Sequence, residues 1–123
     1  MPGPPLISIV DDDESVRESL WGLLRSVGFA VNVFASAEEF WNSDKLSNAD
    51  CLILDVRMPG MSGIELQRQL VASCCNIPVI FITAYEDEGM RAQAFSGGAG
   101  AFLIKPFGEE ALLNAIHAAL TPK

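Results

Sequence analysis

Hydrophobic and polar positions along this chain switch between two periods, and the switches mark its elements. Leu6–Val10 (LISIV) is a β-rich apolar run that ends in three consecutive acids, Asp11, Asp12 and Asp13. From Glu14 the spacing becomes that of one helical stripe, Val16, Leu20, Leu23, Leu24 and Val27. Asp13 is the expected N-cap, Glu14 suits the positive end of that helix, and Gly28 stands where a C′ glycine would stop it. Phe29–Phe34 (FAVNVF) alternates as a second strand. Ser36 and Glu39 have capping-box spacing for a short helix carrying Phe40 and Trp41. A polar connection, Ser43–Ala49, leads to Cys51-Leu52-Ile53-Leu54, which runs unbroken into Asp55 and then into Pro59, Gly60 and Gly63. Ile64, Leu66, Leu70 and Val71 mark a third helix ending near Cys74, and Val79–Thr83 (VIFIT) a fourth strand. Tyr85–Glu88 reads as an acidic loop, and Met90–Phe95 as a weak helix closed by Gly97-Gly98. Ala99–Ile104 is a fifth strand ending at Lys105-Pro106, and Ala111–Leu120 a last helix with Leu112, Leu113, Ile116 and Leu120 in register.

Strands and helices thus alternate five times, and the strands are mostly apolar on both faces, as in sheets covered by helices on either side. Short connections and right-handed crossovers then give a parallel sheet. The expected fold is α/β, flavodoxin-like (βα)5, with five strands in the order 2-1-3-4-5. A single domain is expected over residues 6–120, after a proline- and glycine-rich lead-in at 1–5. Residues 121–123 (Thr-Pro-Lys) read as a stop or the start of a linker, which leans toward the chain being a fragment.

Composition narrows the function classes. At 123 residues the chain can bury one core, and 50% hydrophobic with 20% charged residues is globular usage. A net charge of −8 argues against nucleic-acid binding by this segment, which would need a basic patch. Three cysteines, two of them adjacent, with no Cys-x-x-Cys and one histidine, make neither a disulfide framework nor a structural zinc site. The start MPGPPL is no signal peptide, and no apolar stretch approaches the roughly 20 residues of a membrane span. A cytoplasmic chain without membrane association is expected.

The chemistry lies at the carboxyl end of each strand. Asp11 and Asp12 come after the first, Asp55 ends the third, Thr83 the fourth, and Lys105 comes after the fifth; a parallel sheet brings all these ends to one edge. Three carboxylates together either raise one pKa or take a divalent cation. Hard oxygen donors without histidine or thiolate suit Mg²⁺ and, less exclusively, Mn²⁺. Taken singly, each has a plainer account. Asp11–Asp13 could be a capping cluster, Thr83 a strand-end residue and Lys105 a solvated loop lysine. It is the five together that resist coincidence.

These residues also resemble a known family. The pair Asp11-Asp12, the stretch LDVRMPGMSG around Asp55, FITA at the fourth strand and FLIKPF at the fifth are similar, in order and spacing, to response-regulator receiver domains of bacterial two-component signalling. The wording IVDDDESVRESL, RMPGMSG and KPF most resembles the subgroup that carries a C-terminal helix-turn-helix DNA-binding domain.

The resemblance implies that Asp55 is a phosphoacceptor taking a phosphoryl group from a sensor histidine kinase. It implies Mg²⁺ held by Asp12 directly, by Asp11 mostly through water, by Asp55 and by the backbone carbonyl of Arg57. Lys105 would meet a phosphoryl oxygen, and Asp55 in the resting state, with a cis bond before Pro106. Thr83 would sense the phosphoryl group. Phe102, where many receivers have tyrosine, would turn in and alter the surface of the fourth helix, fifth strand and fifth helix. Pro59 and Gly60 would shape the pocket rim, Ala84 would leave the approach to Asp55 open, and Arg57 and Tyr85 would flank it. The subgroup implies homodimerisation on phosphorylation and control of transcription. No enzyme is implied beyond a domain that assists its own phosphorylation and slow autodephosphorylation. Trp21, off the first helix's stripe, suits either kinase docking or packing under a neighbour, whereas His117 suits a solvated face.

Other classes on the same fold are a phosphorylation-independent pseudo-receiver, a single-domain phosphorelay module, an aspartyl phosphohydrolase and a flavin or nucleotide binder. Against the phosphohydrolase stands Arg57, where a second acid two residues after the nucleophile is wanted. Against the binder stand the acids after the first strand, where a phosphate loop would need glycine or hydroxyl groups.

Overall fold

The computed structural model describes residues 3–43, 48–84 and 87–121. Its strands are β1 (Leu6–Val10), β2 (Ala30–Phe34), β3 (Cys51–Asp55), β4 (Val79–Thr83) and β5 (Ala101–Ile104). Its helices are α1 (Glu14–Ser26), α2 (Ala37–Trp41), α3 (Gly63–Ala72), α4 (Glu88–Ser96) and α5 (Glu109–Leu120). All pairings are parallel, in the order β2-β1-β3-β4-β5. This is the (βα)5 flavodoxin-like arrangement expected from the pattern.

Two cores form because strand side chains alternate between faces. Ile7, Ile9, Cys51, Ile53, Ile80 and Ile82 join Leu20, Leu24, Leu112 and Ile116 under α1 and α5. Val10, Leu52, Leu54, Val79, Phe81 and Phe102 join Phe40, Leu66, Leu70 and Ala94 under α2, α3 and α4. β3 and β4 are buried at every position, which is why their sequences lack polar alternation. Ser8 is the exception inside β1. Its hydroxyl is buried with no partner among the described residues, a cost to stability that nothing in the structure explains.

Helix ends account for most differences from the sequence pattern. β2 begins at Ala30 because the Phe29 N–H is spent on the Leu24 carbonyl at 3.1 Å, closing α1 together with Gly28 at φ 99°. β5 begins at Ala101 for the same reason, since Ala99 N–H bonds the Ala94 carbonyl at 3.0 Å. α4 starts earlier than expected, with Asp87 as N-cap accepting Met90 N–H at 3.1 Å, so Glu88 is helical and not loop. α5 likewise begins at Glu109. α3 ends at Ala72, with Cys74 in the left-handed region at φ 59°.

Val71 does not belong to the core stripe expected of it, being 58% exposed. Gln67 is buried in α3 instead and donates to the Ala94 carbonyl at 3.0 Å, which ties α3 to α4. Cys51, Cys74 and Cys75 are free thiols. Burial pushes the Cys51 thiol up to about 12, so it behaves as an inert apolar side chain. No helix among the described residues is long and apolar enough to cross a membrane.

Candidate functional site

The parallel order sets β1, β3, β4 and β5 side by side, and their carboxyl ends meet as the pattern predicts. The three acids after β1 divide the work. Asp13 caps α1, its Oδ1 accepting Ser15 N–H at 2.9 Å, the Ser15 hydroxyl at 2.7 Å and Val16 N–H at 3.4 Å. Asp11 is fully buried, with Oδ1 accepting Asp13 N–H at 2.9 Å, while Asp12 is exposed. The capping acid and the acid buried at the sheet edge are therefore different members of the run.

Asp55 ends β3 at 5% exposure, facing Asp11. Burial, then the charge of Asp11, pushes its carboxyl up to about 7, against the pull of Lys105 and of the Arg57 N–H that it accepts. One carboxylate oxygen each from Asp11, Asp12 and Asp55 lies within 4.8 Å of the others. That donor set, all hard oxygen and one member open to solvent, fits a small divalent cation such as Mg²⁺.

Lys105 enters from β5. Its Nζ donates to Asp11 Oδ2 at 2.9 Å and stands 3.8 Å from Asp55 Oδ2. The resemblance implies Asp55 as the resting partner; the nearer one is Asp11, whose carboxylate is fully buried. Burial opposes the ammonium's charge, but the Asp11 hydrogen bond and the charges of Asp55, Asp11 and Asp13 outweigh it and raise the lysine's pKa. The Lys105–Pro106 peptide bond is cis. Lys105 N–H bonds the Thr83 carbonyl at 2.7 Å, which joins the carboxyl ends of β4 and β5.

Thr83 closes β4 at 1% exposure, and Ala84 beyond it is exposed. Tyr85 lies outside the described residues. Pro59 and Gly60 are exposed, Gly60 at φ 76°. Gly63 starts α3 so close to β3 that a Cβ there would overlap the Asp55 carbonyl. Phe102, expected to turn in on activation, stands in β5 beside Phe81 of β4. The ring is only 7% exposed and already packs on Phe81 with centroids 6.3 Å apart.

Trp21 is 46% exposed with the Arg25 guanidinium 5.4 Å over its ring, so it does not pack under another helix. His117 is exposed, 6.2 Å from the Phe29 ring. Three residues of the site carry no signal in local sequence. Arg17 donates to the Asp11 carbonyl at 2.8 Å, Asp87 pairs with Arg57 at 3.5 Å, and Glu38 reaches Met61. Each looks like an ordinary helix-surface or loop charge until its distant partner is placed.

Comparison with known proteins agrees with this geometry. The family model described as the response regulator receiver domain matches residues 7–117. Response regulator protein TodT of Pseudomonas putida is 50% identical over 115 residues, covering 94% of this chain and 51% of that protein. Transcriptional regulatory protein FixJ of Azorhizobium caulinodans is 40% identical, covering 98% of this chain and 57% of its own length. The chain therefore spans about half the length of these curated relatives. Among solved structures, response regulator StyR superposes with a TM-score of 0.89 at 52% identity, covering 96% of this chain and 60% of that one.

Proposed function

Because the chain belongs to the response-regulator receiver family, we propose that Asp55 accepts a phosphoryl group from the phosphohistidine of a sensor histidine kinase in a Mg²⁺-dependent reaction. The observation that carries the reading is the convergence of Asp11, Asp12, Asp55 and Lys105 at one sheet edge. In the step, an Asp55 carboxylate oxygen forms the new bond to phosphorus as the phosphorus–nitrogen bond breaks, and the imidazole keeps the electron pair. Lys105, already between two carboxylates, is placed to meet a phosphoryl oxygen and stabilise its charge. Asp11, Asp12, Asp55 and the Arg57 carbonyl would hold the Mg²⁺, whose chemistry is to neutralise charge on the transferring phosphoryl oxygens.

Thr83 would then hydrogen-bond the phosphoryl group and pull on β4. Its backbone bond to Lys105 carries that pull to β5 and onward to the surface of α4, β5 and α5. The functional unit of the proposal is residues 6–120, acting in the cytoplasm on an output that regulates transcription, as the descriptions of the relatives suggest. The adduct would be lost by slow autodephosphorylation, making this a signalling domain and not an enzyme with turnover.

Incubation with Mg²⁺ and acetyl phosphate, followed by intact mass, is expected to show one phosphoryl adduct that EDTA prevents. If neither acetyl phosphate nor a cognate kinase yields an adduct, the receiver is phosphorylation-independent. Homodimerisation through α4 and β5, with or without α5, belongs to the same proposal. Sedimentation with beryllofluoride is expected to show a dimer where the untreated protein is a monomer, and an unchanged monomer would remove that part.

A further inference from the structure

The loop between Asp55 and α3 is held by a residue outside the strand-end cluster. Glu38 stands in the first turn of α2, a helix anchored by Phe40, which is fully buried and edge-on to Phe34 with centroids 5.3 Å apart. Two neighbouring glutamates point to different tasks. Glu39 turns back to the Ala35 N–H at 3.5 Å, whereas Glu38 Oε2 accepts the Met61 N–H at 2.9 Å across 23 residues of chain. That N–H, and then Glu38's own, hold the Glu38 carboxyl below the ordinary range. Gly60 completes the contact. It sits at φ 76°, and a Cβ there would overlap the same Glu38 oxygen. An alanine Cβ at Gly60 would push the Glu38 carboxylate, the far end of a flexible side chain, from this place.

We infer that Glu38 is a positioning residue for phosphoryl transfer. By holding Met61 it sets the path of the loop whose Arg57 N–H meets the Asp55 carboxylate and whose Arg57 carbonyl is a ligand in the proposed cation site. At its far side the loop is tied by the exposed Arg57–Asp87 pair at 3.5 Å, and at its end by Gly63 N–H on the Val56 carbonyl at 3.0 Å. Glu38 supplies the tie from α2. Without it, the segment that follows the Arg57 carbonyl loses its tie to α2 and is held only by Met58, which is buried, and by Ser62, which caps α3. A misplaced loop costs rate through geometry and leaves the fold intact. The inference rests on the receiver reading.

The test compares wild type, Glu38→Ala, Glu38→Gln, Gly60→Ala and the double variant Glu38→Ala/Gly60→Ala. Each is checked for folding by circular dichroism, then followed for adduct formation from acetyl phosphate across a Mg²⁺ series. Glu38→Ala is expected to raise the half-saturating Mg²⁺ concentration about five-fold, the scale of one hydrogen bond. Glu38→Gln is expected to stay within about two-fold of wild type, because its amide oxygen can accept the same N–H. Gly60→Ala slows the reaction, and by a smaller factor once Glu38 is also alanine, since the overlap is then gone. If wild type takes no phosphoryl group, the receiver reading and this inference fall together. If wild type reacts but Glu38→Ala matches it, or Glu38→Gln is as impaired as Glu38→Ala, this inference alone falls.

Discussion

The Asp55→Asn variant is expected to take up no phosphoryl group and, in EDTA at pH 8, to unfold several degrees above the parent protein. Both effects follow from the acid pair. The folded protein holds the Asp55 carboxyl up to about 7, mainly by burial and then by the charge of Asp11. The unfolded chain has it near 4, the ordinary aspartate range. Between those values the folded state binds a proton that the unfolded state does not, so protonation favours folding. The contribution is fully present below about pH 4, is lost as pH rises toward about 7, and stays lost above.

A shift of that size corresponds to as much as ~4 kcal/mol, and with Lys105 placed between the acids about half of it is a prudent figure for the variant. In a domain of this length about 2 kcal/mol moves the midpoint by roughly 5–10 °C. Asparagine keeps the shape and removes the charge. Thermal melts from pH 5 to 8 should therefore show the parent falling while Asp55→Asn stays level, with the two converging at the acid end. Mg²⁺ should narrow the gap at pH 8, because the acids then hold a cation. A gap of the same size at pH 5 and pH 8 would show that charge repulsion is not its cause.

Lys105→Met is expected to have the opposite sign and comparable or larger size. The ammonium stands 2.9 Å from a fully buried Asp11 and 3.8 Å from Asp55, so its removal leaves two carboxylates facing each other with no cation between them. Breaking a buried pair by deleting one partner typically costs about 3–5 kcal/mol. The expected loss is about 3 kcal/mol at pH 8 in EDTA, less at pH 5, and smaller again in saturating Mg²⁺. Adduct formation should slow by about a hundred-fold even in Mg²⁺, because a phosphoryl oxygen loses its neutralising partner. Lys105→Arg should not restore the rate, since a planar fork does not replace a point charge in this space. Adding Asp55→Asn to Lys105→Met should recover part of the lost stability, as the repulsion then has one member fewer. A Lys105→Met protein as stable as the parent at pH 8 would mean that the lysine does not balance this pair.

Several of these residues are legible in the sequence and others are not. Asp11, Asp12, Asp55, Thr83 and Lys105 can be read because each ends or succeeds an apolar run, and a parallel sheet sends every such position to one edge. The pattern places Phe29 and Ala99 in strands, yet their N–H groups are claimed by carbonyls of the preceding helix, a choice that side-chain pattern does not record. Val71 and Gln67 change places for a different reason. The α4 backbone lies against α3, so a polar side chain with a carbonyl to meet is buried there, and the valine faces water.

The chain by itself determined its elements, their parallel order and the chemical character of the site. Those depend on the spacing of apolar residues and on which polar residue ends each strand, and both are local properties. Only the tertiary structure decided which charge meets which. Lys105 joins Asp11 across 94 residues, and Glu38 reaches Met61 across 23. Such partners are selected by distance and burial. A carboxylate buried beside an ammonium must pair with it, however far apart the two lie along the chain.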